Sequence, residues 1–148
     1  MVAFLPHKQK GNGAIDNIMK MFSAQKYAGE HHAISFAPDT YGKMMNWMGP
    51  GTDIQARTNP DLTPKSNSMP IRKSDLASYS HDISYYKAEK AYDANPTPEN
   101  RQKQLQKVWE ADNRFIEEMK QDPDEPMAPI ASRLIKKGEF RKSSHATY

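Results

Sequence analysis

Apolar residues recur at helical spacing in several stretches of the chain, and no stretch alternates convincingly with period two, so the pattern predicts a mainly α domain. Four candidate helices emerge, three of them with definite bounds. The first covers Ile15–Tyr27, with Ile15, Ile18, Met19 and Phe22 on one face and Gly29 as its C-cap. A second begins at Ser74, whose hydroxyl can cap free amides, and runs to about Asp93. Asn95-Pro96-Thr97-Pro98 is a break, with Thr97 as N-cap and Pro98 in the first helical position of a third helix reaching about Lys120.

The third helix carries an apolar stripe of Leu105, Val108, Trp109, Phe115, Ile116 and Met119, and Asp112 falls inside it. Burying a carboxylate costs several kcal/mol unless it is paired and hydrogen-bonded, so Asp112 requires a partner. If the second and third helices form an antiparallel hairpin about the Asn95–Pro98 turn, His81 comes level with Asp112. On the second helix His81 and Tyr85 share a face with Ala77, Ser84 and Ala88, small residues that let another helix approach. A buried aspartate that accepts one imidazole proton leaves the other ring nitrogen free as a base. Spacing alone is equally compatible with a catalytic dyad and with a structural His–Asp pair.

Met44 to Pro70 holds Gly49, Gly51 and four prolines, so it reads as loop over most of its length, anchored by Trp47, Met48 and Ile54. Trp47-Met48-Gly49-Pro50-Gly51-Thr52 is a glycine turn that can present backbone carbonyls to a hard cation. Asp82 can add a charged oxygen while His81 activates water. Together these residues suggest a calcium-dependent lipid hydrolase. The connector 30–41 contains Pro38, and His31-His32 lack metal-site spacing and read as surface.

Composition narrows the alternatives. A chain of 148 residues, 36% hydrophobic and 26% charged, supports one domain with a modest core. A mean hydropathy of -0.91 and eleven prolines indicate solvated, irregular ends. The expected organisation is a flexible N-terminus over 1–13, a single domain over 14–137 and a basic flexible tail over 138–148. The absence of cysteine excludes disulfides and thiolate metal sites. No apolar run approaches the ~20 residues of a membrane span, and the N-terminus lacks a signal-peptide core, so the chain reads as soluble. A net charge of +3 with a pI near 9.0 favours phosphate-bearing surfaces without choosing between lipid and nucleic acid. The basic residues Arg133, Lys136, Lys137, Arg141 and Lys142 read as a solvated tail, without the interleaved aromatics of a nucleic-acid site.

These residues resemble the phospholipase A2-like domain in the N-terminal extension of parvovirus minor capsid proteins, itself similar to secreted phospholipases A2. The resemblance covers Asn46 to Met119, about half the chain. It rests on Trp47-Met48-Gly49-Pro50-Gly51, Pro70 and Asp75 five residues apart, Ala77, His81-Asp82, Tyr85 and Ala111-Asp112-Asn113-Arg114-Phe115. It implies that Ca²⁺ is held by the backbone carbonyls of Trp47, Gly49 and Gly51 and by the Asp82 carboxylate. It implies further that His81 is the general base for hydrolysis of the sn-2 ester and that Asp112 orients the imidazole. The Gly49 amide would stabilise the oxyanion, and Tyr85 would support Asp112. The implied partners are a phospholipid membrane surface, bound peripherally, and capsid proteins; nucleic acid is disfavoured. The implied setting is a virion protein acting at the host endosomal membrane.

The chain departs from the family at Trp47, where tyrosine is usual, and at Thr52 and Arg72, where asparagine is common. The family also carries this domain within a much longer capsid chain, which leaves open a separate minor virion protein or a processed fragment. The competing reading is a catalytically inactive capsid or interaction protein that keeps the fold, and a more distant one is a nucleic-acid-binding module.

Overall fold

The computed structural model describes residues 17, 18 and 20–136. Within them the chain is mainly helical: β1 (Phe22–Ala24), β2 (His32–Ala33), α1 (Ile54–Arg57), α2 (Lys73–Ala94), α3 (Pro98–Met119) and α4 (Met127–Lys136), with a 3-10 turn at Ser66–Ser68. None of these helices is long and apolar enough to cross a membrane. The segments assigned to a flexible N-terminus and a basic tail lie outside the described residues, as do Ile15, Met19, Lys137, Arg141 and Lys142.

Two long helices dominate because their local chemistry is unambiguous. The Thr97 hydroxyl accepts the Asn100 amide at 3.1 Å and Pro98 opens α3, as the break predicts. Asn95 to Thr97 then connect α2 directly to α3, and the two helices pack against each other. Val108, Ala111, Phe115 and Met119 are the buried line of α3. The apolar stripe is narrower than its sequence suggests: Leu105 is exposed and Trp109 is 61% exposed, because both sit at the edge of the arc centred on Val108.

The start of α2 is corrected as well. It begins at Lys73, and Ser74 is not its capping side chain. The Ser74 amide donates instead to Asp122 Oδ2 at 3.0 Å, so a carboxylate from the α3–α4 link satisfies the helix N-terminus. Arg72 grips the same carboxylate in a two-pronged contact, Nε to Oδ2 at 2.8 Å and Nη2 to Oδ1 at 2.7 Å, and reaches Asp39 with Nη1. It therefore ties the 35–40 turn to the far end of α3.

The first predicted helix is overturned beyond its beginning. Asn17, Ile18 and Lys20 are helical, but Phe22–Ala24 is a strand paired antiparallel with His32–Ala33. Phe22 is buried against Ala33, Met45 and Met48, so pairing and packing with distant residues outweigh local helical periodicity. Gly29 caps no helix; it takes a φ of +89° in the turn before β2.

The principal core joins Phe22, Ala33, Met45, Met48, Ala77, Phe115 and Met119 with Met127, Ala128, Ala131, Leu134 and Ile135 of α4. Helix α4 is thus a structural element of the domain, and Arg133 and Lys136 lie on it rather than in a tail.

Candidate functional site

The glycine turn is built on one carboxylate. Asp75, fully buried at the start of α2, accepts the amides of Asn46, Trp47 and Met48 at 2.9, 2.7 and 3.0 Å and that of Ile71 at 3.0 Å. The Trp47 indole packs edge-on against Tyr79 and donates to the Ser68 carbonyl at 2.7 Å, which explains its complete burial.

The far side of the turn lies against residues 29–33. The Ala33 amide donates to the Met48 carbonyl at 2.9 Å and the His31 amide to the Pro50 carbonyl at 3.0 Å. Gly49 and Gly51 have φ of +138° and +77°, and a Cβ on either would run into the carbonyl oxygen of His31 or Gly29. Because Met48 and Pro50 use their carbonyls in this contact, the intervening ones at 47, 49 and 51 accept no backbone amide among the described residues. Gly49 O has the Thr52 hydroxyl at 3.2 Å.

A buried ion pair stiffens this region. The Arg57 guanidinium makes two bonds of 2.7 Å to Glu30, and both side chains are inaccessible to solvent. Glu30 also accepts the Asp53 amide at 2.9 Å and the Tyr27 amide at 3.0 Å. Burial pushes the Glu30 carboxyl up, but Arg57 and these amides outweigh it and hold the group at about 2.

On the helical side, His81 Nε2 donates to Asp112 Oδ1 at 2.8 Å, and the Tyr85 hydroxyl donates to the same oxygen. The imidazole is held between the rings of Tyr85 and Phe115, at centroid distances of 4.3 and 4.8 Å. Since a carboxylate only accepts, the proton sits on Nε2 and the Nδ1 lone pair is available. Nδ1 lies 4.0 Å from Asp82 Oδ1. Burial lowers the affinity of His81 for a second proton, but Asp112 and then Asp82 outweigh it and raise its pKa above the ordinary value. Burial also pushes the Asp82 carboxyl up.

Asp82 joins the two halves. The Thr52 side chain of the glycine turn is within hydrogen-bonding reach of its carboxylate and favours the ionised form, while its Oδ2 is buried with no hydrogen-bond partner. An orphaned carboxylate oxygen next to a turn whose carbonyls at 47, 49 and 51 accept no backbone amide suits an oxygen-seeking cation. Among the described residues no group of three or more His, Asp or Glu side chains could hold a metal, so any cation here would depend on Asp82 and backbone oxygens.

The predicted residues therefore fall into one region. His81, Asp112 and Tyr85 are in mutual contact, Asp82 is adjacent, and Trp47, Gly49 and Gly51 belong to the turn that Asp82 faces through Thr52. His32 is corrected: it is completely buried, with Nδ1 3.0 Å from the Met45 carbonyl and Nε2 2.8 Å from Thr52 Oγ1. Burial lowers its pKa to about 4. Sequence spacing carried no signal for this, nor for the four amides gathered by Asp75, because both depend on chain segments that meet only in the fold.

No protein-family model, curated protein or solved structure matches this chain.

Proposed function

We propose that the protein is a calcium-dependent phospholipase A2, with α2 and α3 as its catalytic hairpin and residues 47–52 as its calcium loop. The observation that carries this reading is the position of Asp82 between the free Nδ1 of His81 and the glycine turn, with a buried oxygen that no protein donor satisfies. Bound there, Ca²⁺ would supply a Lewis acid for the ester carbonyl and counter-charge for the oxyanion. Trp47, Gly49 and Gly51 would hold it through their carbonyls, together with the Asp82 carboxylate.

The remaining chemistry belongs to the chain. His81 Nδ1 takes the proton of the attacking water and returns it to the glycerol oxygen as the bond from that oxygen to the ester carbon breaks, while Asp112 stabilises the intervening imidazolium and fixes the ring's tautomer. Tyr85 holds the same Asp112 oxygen and so limits rotation of the carboxylate. The Gly49 amide, uncommitted among the described hydrogen bonds, donates to the developing oxyanion. The net charge of +3 favours peripheral attachment to an anionic phospholipid surface. A virion-borne enzyme that opens the host endosomal membrane, alongside capsid proteins, is the setting the family resemblance suggests.

One observation favours the inactive alternative: both glycines are required by backbone packing against residues 29–32, so the turn needs glycine whether or not it holds a cation. Activity separates the readings. Phosphatidylcholine vesicles should release fatty acid and the 1-acyl lysophospholipid in the presence of Ca²⁺, and release should stop on chelation. No release from folded protein, or release that survives chelation, overturns the proposal.

A further inference from the structure

We infer that His32 is a positioning residue for the proposed cation site: its imidazole captures the Thr52 hydroxyl proton and so keeps the Gly49 carbonyl and the Asp82 carboxylate open to a cation. This rests on the calcium reading above.

The distribution of protons makes the case. The Met45 carbonyl can only accept, so the ring proton of His32 is on Nδ1, 3.0 Å away. The ring is fully buried and no carboxylate is hydrogen-bonded to it, so it is neutral and Nε2 is an acceptor. The hydrogen aimed at Nε2 is that of Thr52, whose Oγ1 lies 2.8 Å away.

Thr52 has one hydroxyl proton and three acceptors around it. Gly49 O is at 3.2 Å, the Asp82 carboxylate is a second acceptor within hydrogen-bonding reach although its Oδ2 holds no partner, and His32 Nε2 at 2.8 Å is the nearer of the two measured partners. With the proton on His32, Gly49 O and Asp82 Oδ2 are both left without a hydrogen. Without an acceptor at residue 32, the hydroxyl can rotate onto Gly49 or Asp82, and a cation must then displace that bond.

The Gly49 contact makes the arrangement local to the turn, while the Met45 contact fixes the imidazole to the segment that leads into the turn. His32 thereby links β2 to the cation site without touching substrate.

The test is calorimetric titration of the full chain with Ca²⁺ alone. His32→Asn retains a donor toward Met45 but cannot reach Thr52, and should weaken Ca²⁺ binding roughly three- to tenfold, the scale of one net hydrogen bond. Thr52→Val deletes the hydroxyl proton that His32 is inferred to hold, so in a Thr52→Val background His32→Asn should cost no further Ca²⁺ affinity, which independent structural damage would not reproduce. A folded His32→Asn protein with wild-type affinity overturns the inference, and so does an equal loss from His32→Asn with and without the Thr52 hydroxyl. If His32→Asn does not fold, the tautomer of the wild-type ring decides. Nitrogen chemical shifts of the wild-type ring should report a proton on Nδ1, and the opposite tautomer also overturns the inference. Absence of any Ca²⁺ binding by wild type is a separate result, and it removes the calcium reading itself.

Discussion

His81 Nε2 and Asp112 Oδ1, from residues 31 positions apart, stand 2.8 Å from each other across the two long helices. Each answers the other's problem. The carboxylate interrupts an apolar face and requires a donor, and the imidazole requires an acceptor to fix its tautomer.

Removing the imidazole should therefore separate chemistry from folding. His81→Asn is expected to lower phospholipid hydrolysis by at least ~10² to 10⁴-fold, the usual contribution of a general base, while circular dichroism remains unchanged. Because Asp112 and Asp82 raise its pKa, the His81 imidazole of the metal-free protein should titrate above the ordinary histidine value of 6.5, as read from its nitrogen chemical shifts over a pH series. Near-normal hydrolysis by a folded His81→Asn protein would refute the mechanism.

Asp82 should behave oppositely in its two states. Asp82→Ala is expected to abolish Ca²⁺ binding and hydrolysis together, yet to leave the metal-free protein no less stable, since it deletes a buried oxygen that has no donor. Thermal melts with and without Ca²⁺ measure both effects. A large loss of metal-free stability would show that Asp82 serves the fold rather than a ligand.

Asp75 is the reverse case. Asp75→Ala strands four amides at the base of the glycine turn and should cost about 3 kcal/mol or more in chemical denaturation. Asp75→Asn keeps the acceptor oxygen of one branch and should cost less. Equal stability of Asp75→Ala and wild type would contradict the anchoring role.

Acid should act on the Glu30–Arg57 pair. Glu30 binds its proton more weakly in the folded protein, at about 2 against an ordinary value of 4.5. Its contribution is therefore complete above about 4.5 and is lost as the pH falls toward 2. The difference corresponds to roughly 3 kcal/mol, so the wild type should lose more stability than Glu30→Gln between pH 5 and pH 2, within about that limit. Parallel pH profiles for the two proteins would exclude this coupling.

Local chemistry made α3 readable in advance: Thr97 caps its start, Pro98 opens it, and Asp112 stands out because a carboxylate on an apolar helical face demands explanation. The position of His81 opposite Asp112 followed from a short turn and equal spacing on either side. Helix α4 was also accessible, since Ala128, Ala131, Leu134 and Ile135 repeat at helical intervals, but Arg133 and Lys136 drew the segment toward a tail reading. Phe22–Ala24 was beyond reach, because its helical periodicity yields to pairing with β2 and burial against Met45 and Met48. The same non-local contacts bury His32, gather four amides onto Asp75 and bring Thr52 beside Asp82. Periodicity and capping act over one or two turns of chain and are written in neighbouring residues. The donors and acceptors around the glycine turn come from segments up to tens of residues apart, and only the tertiary structure decided which of them meet.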